Sequence, residues 1–134
     1  MSAFFDTSIL VYAQQADSKA DRARALFSRG GKLSVQVLNE FAAVSRCKQR
    51  RDWREIDEAI DDVLAVVNPP LVLTHELHTA ARALAEDHGL SFYDALIVAA
   101  AIEAGCDTLF TEDMQHGRRI GGLAIVNPFL ESAP

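Results

Sequence analysis

Four acidic residues stand where stability alone explains them poorly: Asp6, Glu40, Asp94 and Asp113. Asp6 follows the apolar burst Ala3-Phe4-Phe5, and Asp113 lies just beyond a second burst, Thr108-Leu109-Phe110. Asp94 opens a long apolar run. Glu40 shares a helical stripe with Val37, Phe41 and Val44, at spacings of three and four. An acid on an apolar face either finds a partner or carries a desolvation cost of several kcal/mol. If the four converge, two carboxylates ~4 Å apart repel by roughly 4 kcal/mol at an effective dielectric near 20. A divalent cation relieves that repulsion. All-oxygen ligands without a Cys or His framework favour Mg²⁺ or Mn²⁺ over zinc. Such ions activate water and hold phosphoryl oxygens, so the chemistry that fits is phosphodiester hydrolysis.

Each acid also has a plainer reading. Asp6 suits the cap of a short helix beginning at Ser8-Ile9-Leu10. Asp94 can complement a helix dipole, Asp113 can form a turn, and Glu40 can reach the wet edge of its stripe. Those readings need four coincidences, whereas one site needs a single cause.

The elements that must position these acids alternate apolar bursts with helix-period stretches, the pattern of βαβ units. Strands are expected at Ala3-Phe4-Phe5, at Leu33 to Val35, at Thr108-Leu109-Phe110 and at Leu123 to Val126. Asp17 can cap a helix carrying Ala20, Ala23, Leu26 and Phe27, closed by Gly30-Gly31. Further helices are expected from Val37 to about Lys48, from about Trp53 to Val66, from Thr74 to His88, and from near Ser91 to Gly105. The predicted fold is α/β, a three-layer sandwich with a short central parallel sheet flanked by helices. Asp6 and Asp113 then hang over the carboxyl ends of strands, where open α/β sheets bind ligands.

These segments resemble the PIN domain family, and within it the VapC-type toxins of bacterial toxin–antitoxin pairs. The resemblance rests on Phe5-Asp6-Thr7-Ser8-Ile9-Leu10, Leu38-Asn39-Glu40-Phe41, Phe92-Tyr93-Asp94 with the apolar run to Ala101, and Leu109-Phe110-Thr111-Glu112-Asp113-Met114. It covers essentially the whole chain. It implies that Asp6, Glu40, Asp94 and Asp113 form an acidic quartet, with Asp6, Asp94 and Asp113 as metal ligands and Thr7, Ser8 and Thr111 as polar support. It further implies a Mg²⁺- or Mn²⁺-dependent endoribonuclease, a homodimer, and an antitoxin that blocks the site. Glu112 stands beside Asp113 and either could be the ligand; the Thr-x-Asp pattern favours Asp113.

Arg46, Lys48, Arg50, Arg51 and Arg54 form the one dense basic run, able to hold RNA phosphates with Trp53 as a stacking face. The alternative is a solvated helix end. Arg118-Arg119 with His116 could reach a scissile phosphate or lie in a flexible surface loop. His75 and His78 lack the His-Glu-x-x-His pattern and read as a polar helix start. The Ala95 to Ala101 run reads as core, with a neighbouring face available for a dimer.

A length of 134 residues fits one domain, a single nuclease domain over 1–134. The 49% apolar share suffices to fold without staples, so a metal would be functional rather than structural. Cys47 and Cys106 follow no ligand spacing and are too few for a secreted disulfide framework. No basic signal-peptide start and no apolar run near ~20 residues is present, so no membrane is involved and a cytoplasmic location is expected. The net charge of −6 argues against a nucleic-acid partner. Setting aside four of the 19 acids as ligands leaves a remainder nearly balanced by the 13 bases. Two other classes compete: a phospho-accepting signalling domain and a non-catalytic interaction module. The first wants paired acids after the first strand, yet Thr7-Ser8 follow Asp6; the second predicts no saturable metal binding.

Overall fold

Three consecutive buried residues form strand β1 (Ala3–Phe5) of the computed structural model, which describes residues 2–130. Asp6 turns the chain at once into helix α1 (Thr7–Ala13), its carboxylate accepting the Thr7 backbone N–H at 2.6 Å. The capping expected of Asp6 is therefore real. Asp17 caps α2 (Ser18–Ser28) in the same way, and Ala20, Ala23, Leu26 and Phe27 form its buried face. Then follow α3 (Val35–Cys47), α4 (Trp53–Leu64), α5 (His75–His88) and α6 (Phe92–Glu103). Strands β2 (Thr108–Phe110), β3 (Arg119–Ile120) and β4 (Leu123–Val126) complete the order.

The sheet runs β1-β2-β4-β3, parallel except for the antiparallel edge strand β3. With six helices around it among the described residues, the architecture is the expected α/β sandwich. Its register matters most for the site. Phe5 pairs with Phe110 and Phe110 with Val126, so three parallel strands end level. The Asp6 N–H donates to the Phe110 carbonyl, and the Thr111 N–H to the Val126 carbonyl, each at 3.0 Å. Asp6 and Thr111 thus emerge side by side at the carboxyl rim.

Phe4, Phe5, Ile97, Leu109 and Ile125 are fully buried, each contributing roughly 1.5–3 kcal/mol over an exposed position. The Phe5 ring sets its edge against Phe27 and stacks on Phe110. A Cβ at Gly31 would collide with that ring, so only glycine lets this segment approach β1. Helix α6 is buried from Ala95 through Ala101, which places the alanine run in the core.

Two expectations need correction. Leu33 to Val35 is not a strand: only the isolated bridges Phe4 with Lys32 and Ser34 with Leu71 form there. Ser34 instead caps α3, its hydroxyl accepting the Val37 N–H, so the helix begins at Val35 rather than Val37. Arg118-Arg119 does not lie in a loop throughout. Arg119 enters β3, paired with β4 across a turn at Gly121, where φ is +60°. A two-residue strand has no periodicity to reveal it.

Candidate active site

The rim is built around Thr111, which is fully buried. Its hydroxyl donates to Asp6 Oδ2 at 2.6 Å and accepts the Asp113 N–H at 3.1 Å. One side chain therefore holds the Asp6 carboxylate and the Asp113 backbone. Asp6 is 2% exposed. Burial pushes its carboxyl up to about 6, and the charges of Asp113 and Glu40 add to that rise. The hydrogen bonds from Thr111 and Thr7 oppose the shift without cancelling it.

Glu40 is half-buried on α3, beside the buried Val37 and Phe41. Thr7 Oγ1 reaches it at 3.5 Å and Gln36 Nε2 at 3.0 Å. Burial raises its carboxyl; those two bonds lower it, and the nearby charges of Asp94 and Asp113 raise it again. Asp94 lies in the first turn of α6, where its N–H donates to the Ser91 hydroxyl at 3.3 Å. Asp113, exposed at the mouth, is raised by the desolvation it does suffer and then by Glu112 and Asp94; Lys48 lowers it.

All four acids thus share one electrostatic neighbourhood at one rim. Glu40 and Asp113 line the same cleft of 260 Å³ as Thr7 and Ser8. A larger cleft of 390 Å³ lies away from the acids, lined by α1, α2 and α4. Among the described residues no three His, Cys, Asp or Glu side chains are closed into one ligand shell. Glu40 is turned toward Thr7 and Gln36, and Asp113 faces solvent. The donor set nonetheless fits a hard divalent cation: every candidate ligand is an oxygen. Asp6 accepts two protein hydrogen bonds, while a carboxylate offers about four acceptor positions.

Glu112 behaves differently from its neighbour. Against the desolvation that would raise it, hydrogen bonds from Lys19, at 2.6 Å, and from the Tyr12 hydroxyl hold it low. Its backbone N–H donates to Ser8 Oγ at 3.1 Å. Glu112 is engaged; Asp113 is not among the ion-paired acids of the described residues. Tyr12, Lys19 and Gln36 were missing from the sequence reading. Helical spacing points to two of them, since Tyr12 lies one turn after Ser8 and Gln36 one turn before Glu40.

The basic candidates separate as well. Lys48 lines the acid cleft. Arg46 lies 5.3 Å from the centre of the Trp53 ring, and Arg50 is exposed at a φ of +53°. Arg51 donates to the Gln14 carbonyl and Arg118 to the His88 carbonyl, so both guanidinium groups brace backbone. His116 accepts the Asn127 N–H at 2.9 Å. His75 and His78 stack on each other, and His78 also packs on Phe92.

A family model described as the PIN domain matches residues 3–121. No curated protein matches the chain in sequence. Among solved structures, a toxin–antitoxin complex from Klebsiella pneumoniae is similar at a TM-score of 0.72 and 20% identity, covering 96% of this chain and 98% of that one. VapBC2 from Rickettsia felis, bound to a promoter DNA fragment, is similar at 0.65 and 24% identity, covering 93% and 97%. VapC20 of Mycobacterium tuberculosis, a toxin that cleaves the sarcin–ricin loop, is similar at 0.65 and 22% identity, covering 81% and 87%. At such identities the likeness speaks for a shared fold.

Proposed function

The chain belongs to the PIN domain family, and from that premise we propose that it is a metal-dependent endoribonuclease, the toxin of a VapC-type toxin–antitoxin pair. One observation carries the reading: a buried aspartate at a strand end, pushed up to about 6 and pinned by Thr111 beside Asp113. A buried carboxyl with raised proton affinity beside other acids marks a candidate site for chemistry. In this reading the chain acts as one nuclease domain in the cytoplasm, as a homodimer, with RNA as substrate and an antitoxin as partner. Fold neighbours described as toxins lend support. No helix among the described residues is long and apolar enough to cross a membrane.

Asp6, Asp94 and Asp113 would hold Mg²⁺ or Mn²⁺, which when bound supplies charge to neutralise the phosphoryl oxygens and lowers the pKa of attacking water. Thr111 keeps the Asp6 carboxylate oriented, as outer partners of metal ligands do, and anchors the backbone of Asp113. Glu40, with its proton affinity raised and its carboxylate held by Gln36 and Thr7, takes a proton from the attacking water. Glu112 holds the 111–113 turn through Lys19 and Tyr12.

The test is cleavage of single-stranded RNA by the purified protein with Mn²⁺ or Mg²⁺. EDTA should stop it, and Asp6→Asn or Asp94→Asn should abolish it without loss of fold. Cutting that survives both substitutions removes the reading.

A further inference from the structure

The groove that starts at the carboxylates continues between two helices. One wall is α1, through Ser8 and Tyr12, with Gln15 just beyond its end; the other is α3, through Glu40, Val44 and its C-cap Lys48, spaced by four and so on one face. From Glu40 to Lys48 the helix rises ~12 Å, the span of roughly three stacked nucleotides. At the far end the walls are tied together. Arg51 donates to the Gln14 carbonyl at 3.1 Å, Arg46 donates to the Arg51 carbonyl at 3.1 Å, and the Arg46 guanidinium stands against the Trp53 ring.

Trp53 is 57% exposed and is the sole tryptophan of the chain. Residues 46–54 carry five cations and one acid in a protein whose net charge is −6. Local charge is thus opposite in sign to that of the whole, which suits a polyanion. An exposed aromatic beside cations is the arrangement on which bases of a single strand stack.

We propose that the α1–α3 groove is the track of a single RNA strand, running from the carboxylates past Lys48 to a base stacked on Trp53. The proposal rests on the nuclease reading and adds the path and polarity of contacts to it. Lys48 meets a phosphate, while Arg46 orients the Trp53 ring. Arg51 braces the walls and Arg118 is bonded to the end of α5, so neither contributes a phosphate contact. A second copy of the chain is the rival occupant of Trp53.

Asp6→Asn protein, which should not cut, is titrated with a short oligouridylate while Trp53 emission is followed. Salt-sensitive quenching is expected. Binding of end-labelled oligouridylate should weaken about ten-fold in Trp53→Ala, recover in Trp53→Phe, and lose about one unit of salt slope in Lys48→Ala. Absent quenching together with unchanged affinity in Trp53→Ala overturns the track, even if the wild type cuts RNA and the nuclease reading stands. Quenching by a protein that never cuts supports the track and removes the nuclease reading instead. A change only in sedimentation mass for Trp53→Ala assigns the ring to a second copy and also overturns the track.

Discussion

The carboxylate rim and the cationic segment that begins beside Lys48, which lines the same groove, are held by opposite means. At the rim, Asp6 is buried and fixed by bonds from Thr7 and from Thr111, just past the end of β2. At the far end, Trp53, Arg46, Lys48 and Arg50 are exposed. The rim carries charge where charge is costly; the far end leaves it in water, where it is cheap. In the proposed reading, chemistry falls at the buried, hydrogen-bonded end and RNA binding at the exposed end.

The comparison breaks most sharply at Asp6. Asp6→Asn should lower RNA cleavage by at least about 1000-fold, on the several-kcal/mol scale of lost metal charge stabilisation, yet leave the fold intact or firmer. The sign follows from its titration. The carboxyl titrates at about 6 when folded against an ordinary 3.8, so the folded state binds the proton more tightly. Its contribution is complete below about pH 4 and is lost as pH rises through about 6, roughly 3 kcal/mol in all. Denaturant unfolding in EDTA should therefore show the wild type losing stability relative to Asp6→Asn between pH 4 and pH 7. A constant difference across that window would contradict the burial account of Asp6.

Thr111→Val comes next. It keeps the shape but removes the hydroxyl that donates to Asp6 and accepts from Asp113. Activity should fall about 10–100-fold and stability by about 1–3 kcal/mol, read by cleavage assay and urea melts. Glu112→Gln should do less. Its ion pair with Lys19 is partly solvent-exposed, with side chains 41% and 26% accessible for Lys19 and Glu112, so only a slight loss of stability is expected. Cleavage should drop only a few-fold. A collapse of activity in Glu112→Gln comparable to that of Asp113→Asn would reverse the assignment of the two neighbours.

Much of the rim was readable from local pattern. Asp6 and Asp113 follow apolar bursts that could only be strands or short buried runs, and Glu40 broke the period of its own helix. The level strand ends that bring Asp6 beside Thr111 follow from a parallel register that no single segment encodes. The choice between Glu112 and Asp113 turns on Lys19, 93 residues away from Glu112 along the chain. Ser34 shows the other limit. An apolar Leu33 and Val35 around it suit a strand, but a hydroxyl able to cap α3 competes with strand pairing and wins.

The most direct test of a shared metal centre is Mn²⁺ titration of the apo protein, followed calorimetrically near neutral pH. Saturable binding is predicted for the wild type and for Glu112→Gln, with loss in Asp6→Asn, Asp94→Asn and Asp113→Asn. Binding that is absent in the wild type, or that survives all three aspartate substitutions, would contradict it.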